Sequence, residues 1–266
     1  MDWCLCPFVF AGRYGCACPR DANVLFLGDS GIDFWKNTEG NCCSATSPQW
    51  NALVDDLAGK GQKPAAMGCS GMPAYELCCC APFVFCCVKP DVIVTMMGSN
   101  DLIWLPLPCF HRPCPCAVAC YVRMFMTCVP AGKKVIFIPD LAYDIHDPSL
   151  GIRNFSRVVR DRLAGTVVTP QLEGSLDSPT WTYSRTPNDR ATFEQMVYMD
   201  WEPLIDQLGR DQVKERLVRK GCDSGEPTPL FYTACGNMWV AAELAHGKGA
   251  RVLEAPAQAE MATPST

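Results

Sequence analysis

The sequence predicts an α/β fold in which a mostly parallel sheet carries helices on both faces. Three observations support this. Short β-rich apolar runs recur along the chain, each stopped by glycine, proline or a polar cluster. The runs are continuous rather than alternating, as expected of strands buried on both faces. Segments of helical periodicity lie between them, which is the pattern of βαβ units.

Four runs form the expected sheet. Asn23 to Leu27 ends at Gly28, and the weaker Pro64 to Met67 ends at Gly68. Asp91 to Met97 ends at Gly98, and Lys134 to Ile138 ends at Pro139-Asp140. Thr166 to Val168 is a candidate fifth strand. Helical spacing appears from Trp50 to Gly59 and from Ile152 to Ala164, where Val158, Val159 and Leu163 oppose Arg157, Arg160 and Arg162. It recurs from Trp201 to Lys220 and from Asn237 to His246. The expected layout is a Cys-rich extension over 1–22, one domain over 23–250 and a tail over 251–266. A Cys/Pro-rich insertion at about 106–130 and a loop at about 170–190 interrupt the domain.

Composition narrows the function. The 266 residues are 48% hydrophobic and 19% charged, enough for a sizeable core. A net charge of −5 offers no electrostatic footprint for nucleic acid. No apolar stretch reaches the roughly 18 residues of a membrane span, so stable membrane insertion is not expected. Asp2 stands where a signal peptide would carry a cation, which favours a cytoplasmic location. Of 19 cysteines, 17 lie between Cys4 and Cys128, and no C-x-x-C spacing occurs. Such a chain does not need disulfides to hold a core, so the cysteines are expected mostly as reduced thiols acting as small hydrophobes. No metal site is expected.

In open parallel sheets, ligands bind beyond the carboxyl ends of the strands. The first three strands run directly into Gly28-Asp29-Ser30, Gly68-Cys69-Ser70-Gly71 and Gly98-Ser99-Asn100-Asp101. A serine hydroxyl, glycine backbone N–H groups and a neutral asparagine amide suit acyl transfer: nucleophile, close-approaching donors and an uncharged donor for an oxyanion. Plainer roles exist for each. Ser30, Asn100 and Asp101 are also good helix caps, and Gly71 is also a turn glycine.

These three blocks resemble the SGNH (GDSL-type) hydrolases, with Trp35 shortly after the first. The segment Pro90 to Asp101 is the closest match, and the blocks are spaced by about 40 and about 30 residues. The resemblance implies a three-layer α/β/α flavodoxin-like sandwich with a mostly parallel five-stranded sheet. It implies Ser30 as nucleophile and an oxyanion hole from the Ser30 and Gly71 N–H groups and the Asn100 side chain. It further implies a small-molecule ester substrate, such as a lipid, acetylated sugar or small acyl ester, with no cofactor.

The family's last block pairs an Asp with a His three residues later. Here Asp223 has Glu226 at that position. The sequence has three histidines, so the substitute bases are His146, His246 and His111, with Glu226 itself as a carboxylate alternative. A serine esterase is the leading expectation. The alternative is a catalytically impaired relative that binds an acyl or glycan ligand or a partner. No G-x-G-x-x-G or G-x-x-x-x-G-K-[ST] loop supports a nucleotide or flavin binder.

Overall fold

A computed structural model describes residues 19–29, 31–33, 48–69, 71–104, 114–141, 149, 151–175, 178–213 and 252–254. The strands are β1 (Val24–Gly28), β2 (Pro64–Gly68), β3 (Val92–Met96), β4 (Lys134–Phe137), β5 (Ala164–Ser175), β6 (Ser178–Pro187), β7 (Phe193–Met199) and β8 (Val252–Glu254). The helices are α1 (Pro48–Gly59), α2 (Ala74–Cys87), α3 (Ser99–Trp104), α4 (Pro115–Cys128), α5 (Ile152–Leu163), α6 (Glu202–Leu208) and the single turn α7 (Arg210–Gln212).

The strands form one sheet in the order β2-β1-β3-β4-β7-β5-β6-β8. From β2 to β5 every pairing is parallel. Every residue of β1 and β3 is buried, which accounts for their unbroken apolar composition. The core holds Phe26 edge-on to Trp50 at 5.3 Å and Phe137 stacked on Tyr198 at 5.9 Å.

The α/β class and the parallel sheet are as expected, but among the described residues the sheet has eight strands, not five. Two causes account for the difference. Residues 170–190, expected as a loop, belong largely to an antiparallel β5–β6 hairpin paired from Thr166↔Pro187 to Ser175↔Ser178. Its Ser, Thr and Pro content reads as loop, yet Trp181 and Tyr183 are buried in the core. The candidate fifth strand at Thr166 does form, but it is not the neighbour of β4. That place belongs to β7, which is not among the expected strands.

The Cys/Pro-rich stretch at about 106–130 is not all irregular. Pro115 sits in the first turn of α4, where a proline costs no hydrogen bond. Val118, Ala119, Val122, Phe125 and Met126 then form its buried stripe. Among the described residues, no helix is long and apolar enough to cross a membrane. Among the described cysteines, Cys78 and Cys80 are buried and Cys69, Cys114 and Cys128 partly so, but Cys79, Cys86, Cys87, Cys116 and Cys120 are exposed, more than a packing role requires.

Candidate functional site

The register of the sheet brings the glycine turns to one edge. Gly28 lies beside Gly68 on one side and beside Met96, two residues before Gly98, on the other. Backbone bonds continue the ladder past the strand ends. Asp29 N–H donates to Met96 O at 3.2 Å, and Cys69 N–H donates to Gly28 O at 3.1 Å. Close approach explains the glycines at both strand ends. A Cβ on Gly28 would collide with the Met96 carbonyl and stand 2.8 Å from Ile32 Cγ1. One on Gly68 would collide with the backbone N of Asp33 and stand 2.8 Å from its Cα.

Gly71 is different. It occupies the third position of a turn closed by Met72 N–H on Cys69 O at 3.1 Å, and its φ of +79° is a left-handed value that glycine adopts without strain. The residue is exposed, and a Cβ there would meet none of the described residues within 4 Å.

Asn100 is 3% exposed and sits in the first turn of α3. Its Nδ2 donates to Met72 O at 3.0 Å. The amide group carries a second N–H that this bond does not use. The next residue, Asp101, is also 3% exposed, and its Oδ2 accepts from the Ala74 N–H at 2.6 Å. Two consecutive side chains of α3 therefore hold both ends of the Met72–Ala74 segment, which follows Gly71 and opens α2. Burial pushes the Asp101 carboxyl up to about 6, against the lowering effect of its backbone hydrogen bonds. Asp29 is buried as well, and its Oδ1 accepts from Gly31 N–H at 3.1 Å.

Of the expected site residues, Gly71 and Asn100 are thus brought together through Met72. Ser30, His146, Asp223 and Glu226 lie outside the described residues, as do His111 and His246. One acid at this edge was missed by sequence reasoning. Asp200, directly after β7, is buried; its Oδ1 accepts from Glu202 N–H at 3.2 Å and its Oδ2 from Arg160 Nη1 at 3.0 Å. The apolar run Met196 to Met199 ending in an acid was the signal. Glu202 is itself buried and bonded by Arg157 Nε at 3.2 Å and Arg153 Nη1 at 3.4 Å.

Among the described residues, no group of three or more His, Cys, Asp or Glu side chains is placed to hold a metal ion. A cavity of about 280 Å³ opens at the other end of the sheet, lined by Lys133, Lys134, Thr166, Arg185 and Glu194 among others. Burial, and secondarily Arg185, lowers the Lys134 pKa there. This cavity includes none of the glycine turns.

Glycine turns and a buried amide gathered at the carboxyl ends of adjoining parallel strands are the ligand-site architecture of the open α/β class. No family model and no curated protein sequence matches the chain. Solved structures do. An acetyl esterase variant with acetate ion has a TM-score of 0.50 at 15% identity, over 85% of this chain and 99% of that one. A lipase/acylhydrolase from Enterococcus faecalis gives 0.49 at 13%, over 85% and 94%. A GDSL-like lipase from Bacteroides thetaiotaomicron gives 0.47 at 13%, over 89% and 98%. The chain has the fold of the SGNH/GDSL hydrolases.

Proposed function

We propose that the protein is an ester hydrolase acting on a small carboxylic ester, with Ser30 as nucleophile and an oxyanion pocket made by the Ser30 and Gly71 N–H groups and the Asn100 amide. One observation carries the reading. The exposed Gly71 turn lies beside a buried asparagine whose amide spends one N–H on the Met72 carbonyl, at the edge where the first-strand turn ends. A neutral, desolvated donor already fixed in position is what a developing oxyanion requires, since no reorganisation is then needed during reaction. The fold shared with an acetyl esterase is consistent with this reading. Fold alone does not decide function, so the weight rests on the site.

In this mechanism the Ser30 hydroxyl attacks the acyl carbon, and its proton passes to a base among His146, His246, His111 and Glu226. The carbonyl oxygen becomes an oxyanion held by the three donors. As the intermediate collapses, the alkoxide or phenoxide leaves with the proton held by the base; water, deprotonated by the same base, then attacks the acyl-serine, breaking its ester bond to release the acid and restore Ser30. Asp223 orients the base.

Hydrolysis of p-nitrophenyl acetate tests this, with S30A and N100A beside the wild type. Turnover that disappears in S30A and falls by about 100- to 1000-fold in N100A is expected. Equal background rates in all three would refute it. Equal rates would leave the second reading, a binding protein on this fold.

A further inference from the structure

We propose that Asp101 is the positioning residue of the pocket, its carboxylate fixing the start of α2 and thereby setting the Gly71 turn against the Asn100 amide. This inference rests on the reading of Gly71 and Asn100 as oxyanion donors.

The geometry is a two-point clamp. Asn100 holds the Met72 carbonyl at 3.0 Å, and Asp101 holds the Ala74 N–H at 2.6 Å. Ala74 is the first residue of α2, and its N–H is one of the donors a helix leaves without an intrahelical partner. The residue before it is Pro73, with no side-chain cap of its own. Asp101, 27 residues away in sequence, therefore supplies the cap, and it supplies it as an anion at the positive end of the helix. If the clamp is released, only the Asn100 bond of this pair still ties the turn bearing Gly71 to α3.

The carboxylate is used economically. Oδ2 makes the bond to Ala74, whereas Oδ1 is buried with no hydrogen-bond partner. A side chain kept only for stability has little reason to bury an unpaired oxygen, which costs free energy. Burial raises the pKa of this group, so its charge changes within the accessible pH range. Among the described residues, the titratable groups facing it are few. From α2 come Glu76, which also raises it and accepts from the Tyr75 hydroxyl at 3.1 Å, and the Cys78 thiol. From α4 comes Tyr121, whose pKa is raised by burial and then by Asp101. Burial pushes Cys78 up to about 12, so neither the thiol nor the phenol titrates with Asp101.

The test is an NMR pH titration of the full chain between pH 4.5 and 8, following the Gly71 amide and the Asn100 side-chain amide, in wild type and D101N. The expected result is a shared midpoint near 6 in the wild type that is absent in D101N, with kcat for p-nitrophenyl acetate lowered about tenfold or more and KM unchanged. A merely structural acid would alter stability without linking these two resonances. Resonances that stay flat in the wild type would overturn the proposal. So would a titration that persists in D101N, because it would then belong to Glu76 or to a histidine. A wild type that shows the Asp101-linked titration but no hydrolysis upholds the clamp and rejects the ester hydrolase reading.

Discussion

Substituting Gly98 by alanine tests how the third glycine turn is held beneath α5. Gly98 has φ of +107°, a region that side-chain-bearing residues avoid, so alanine there carries about 1–3 kcal/mol of strain. The new Cβ would stand 2.7 Å from Phe155 Cε1 and 3.3 Å from Val118 Cγ1. Phe155 is 1% exposed and has little room to retreat, which adds about 1–3 kcal/mol of overpacking. G98A is therefore expected to cost about 2–6 kcal/mol. F155A alone should cost about 3–5 kcal/mol through its cavity. In the double variant the clash is gone but the backbone strain remains. The pair should thus be less destabilised than the sum of the singles by about 1–3 kcal/mol. Urea unfolding followed by tryptophan fluorescence gives all four free energies. Additivity within about 0.5 kcal/mol would show that Phe155 does not rest on Gly98 and would refute the packing argument.

Three further outcomes follow from the same structure. Burial raises the Asp101 carboxyl from 3.8 to about 6, so the folded protein holds there a proton that the unfolded chain has already released. The stability this contributes is full below about pH 4 and lost as pH rises through about 6, on the order of 3 kcal/mol; D101N should flatten that part of a stability–pH profile. E202Q should destabilise by about 1–2 kcal/mol in thermal or denaturant unfolding, because a buried acceptor for Arg153 and Arg157 loses its charge while the arginines stay partly hydrated. No measurable loss would mean that the cluster holds nothing. In native protein, a thiol reagent should label Cys79, Cys86, Cys87, Cys116 and Cys120, leaving Cys78 unmodified until unfolding. Peptide mass mapping reads this directly, and rapid labelling of Cys78 would contradict its burial.

Strands β1 to β4 were legible because each is a short run buried on both faces and ends in a breaker. Helix α5 was legible because its apolar and basic faces separate cleanly. Helix α2 was hidden by Cys78 to Cys80 and by Pro82, which sits inside the helix. Counting cysteine as a small hydrophobe recovers it: Ala74, Leu77, Cys78, Ala81, Val84 and Phe85 are buried at helical spacing. The β5–β6 hairpin was hidden for the opposite reason. Its Thr and Ser residues satisfy strand geometry without an apolar signal, although Ala164, Val168, Trp181, Thr182 and Tyr183 are all buried.

The site divides along the same line. Gly28, Gly68, Gly71, Gly98 and Asn100 were legible because strand-end chemistry is local: the turn that ends a strand also presents the polar group. The acid–base partners are not local: the family resemblance puts the acid late in the chain, at Asp223, which lies outside the described residues. With β7 beside β4, the edge also receives Asp200. Asp200 is tied into the fold on both sides. Arg160 takes one oxygen and the Glu202 N–H takes the other, which ties the end of β7 to α5. Freeing it would leave a buried carboxylate without partners, at several kcal/mol. The strand beside β4 therefore serves the α5 latch.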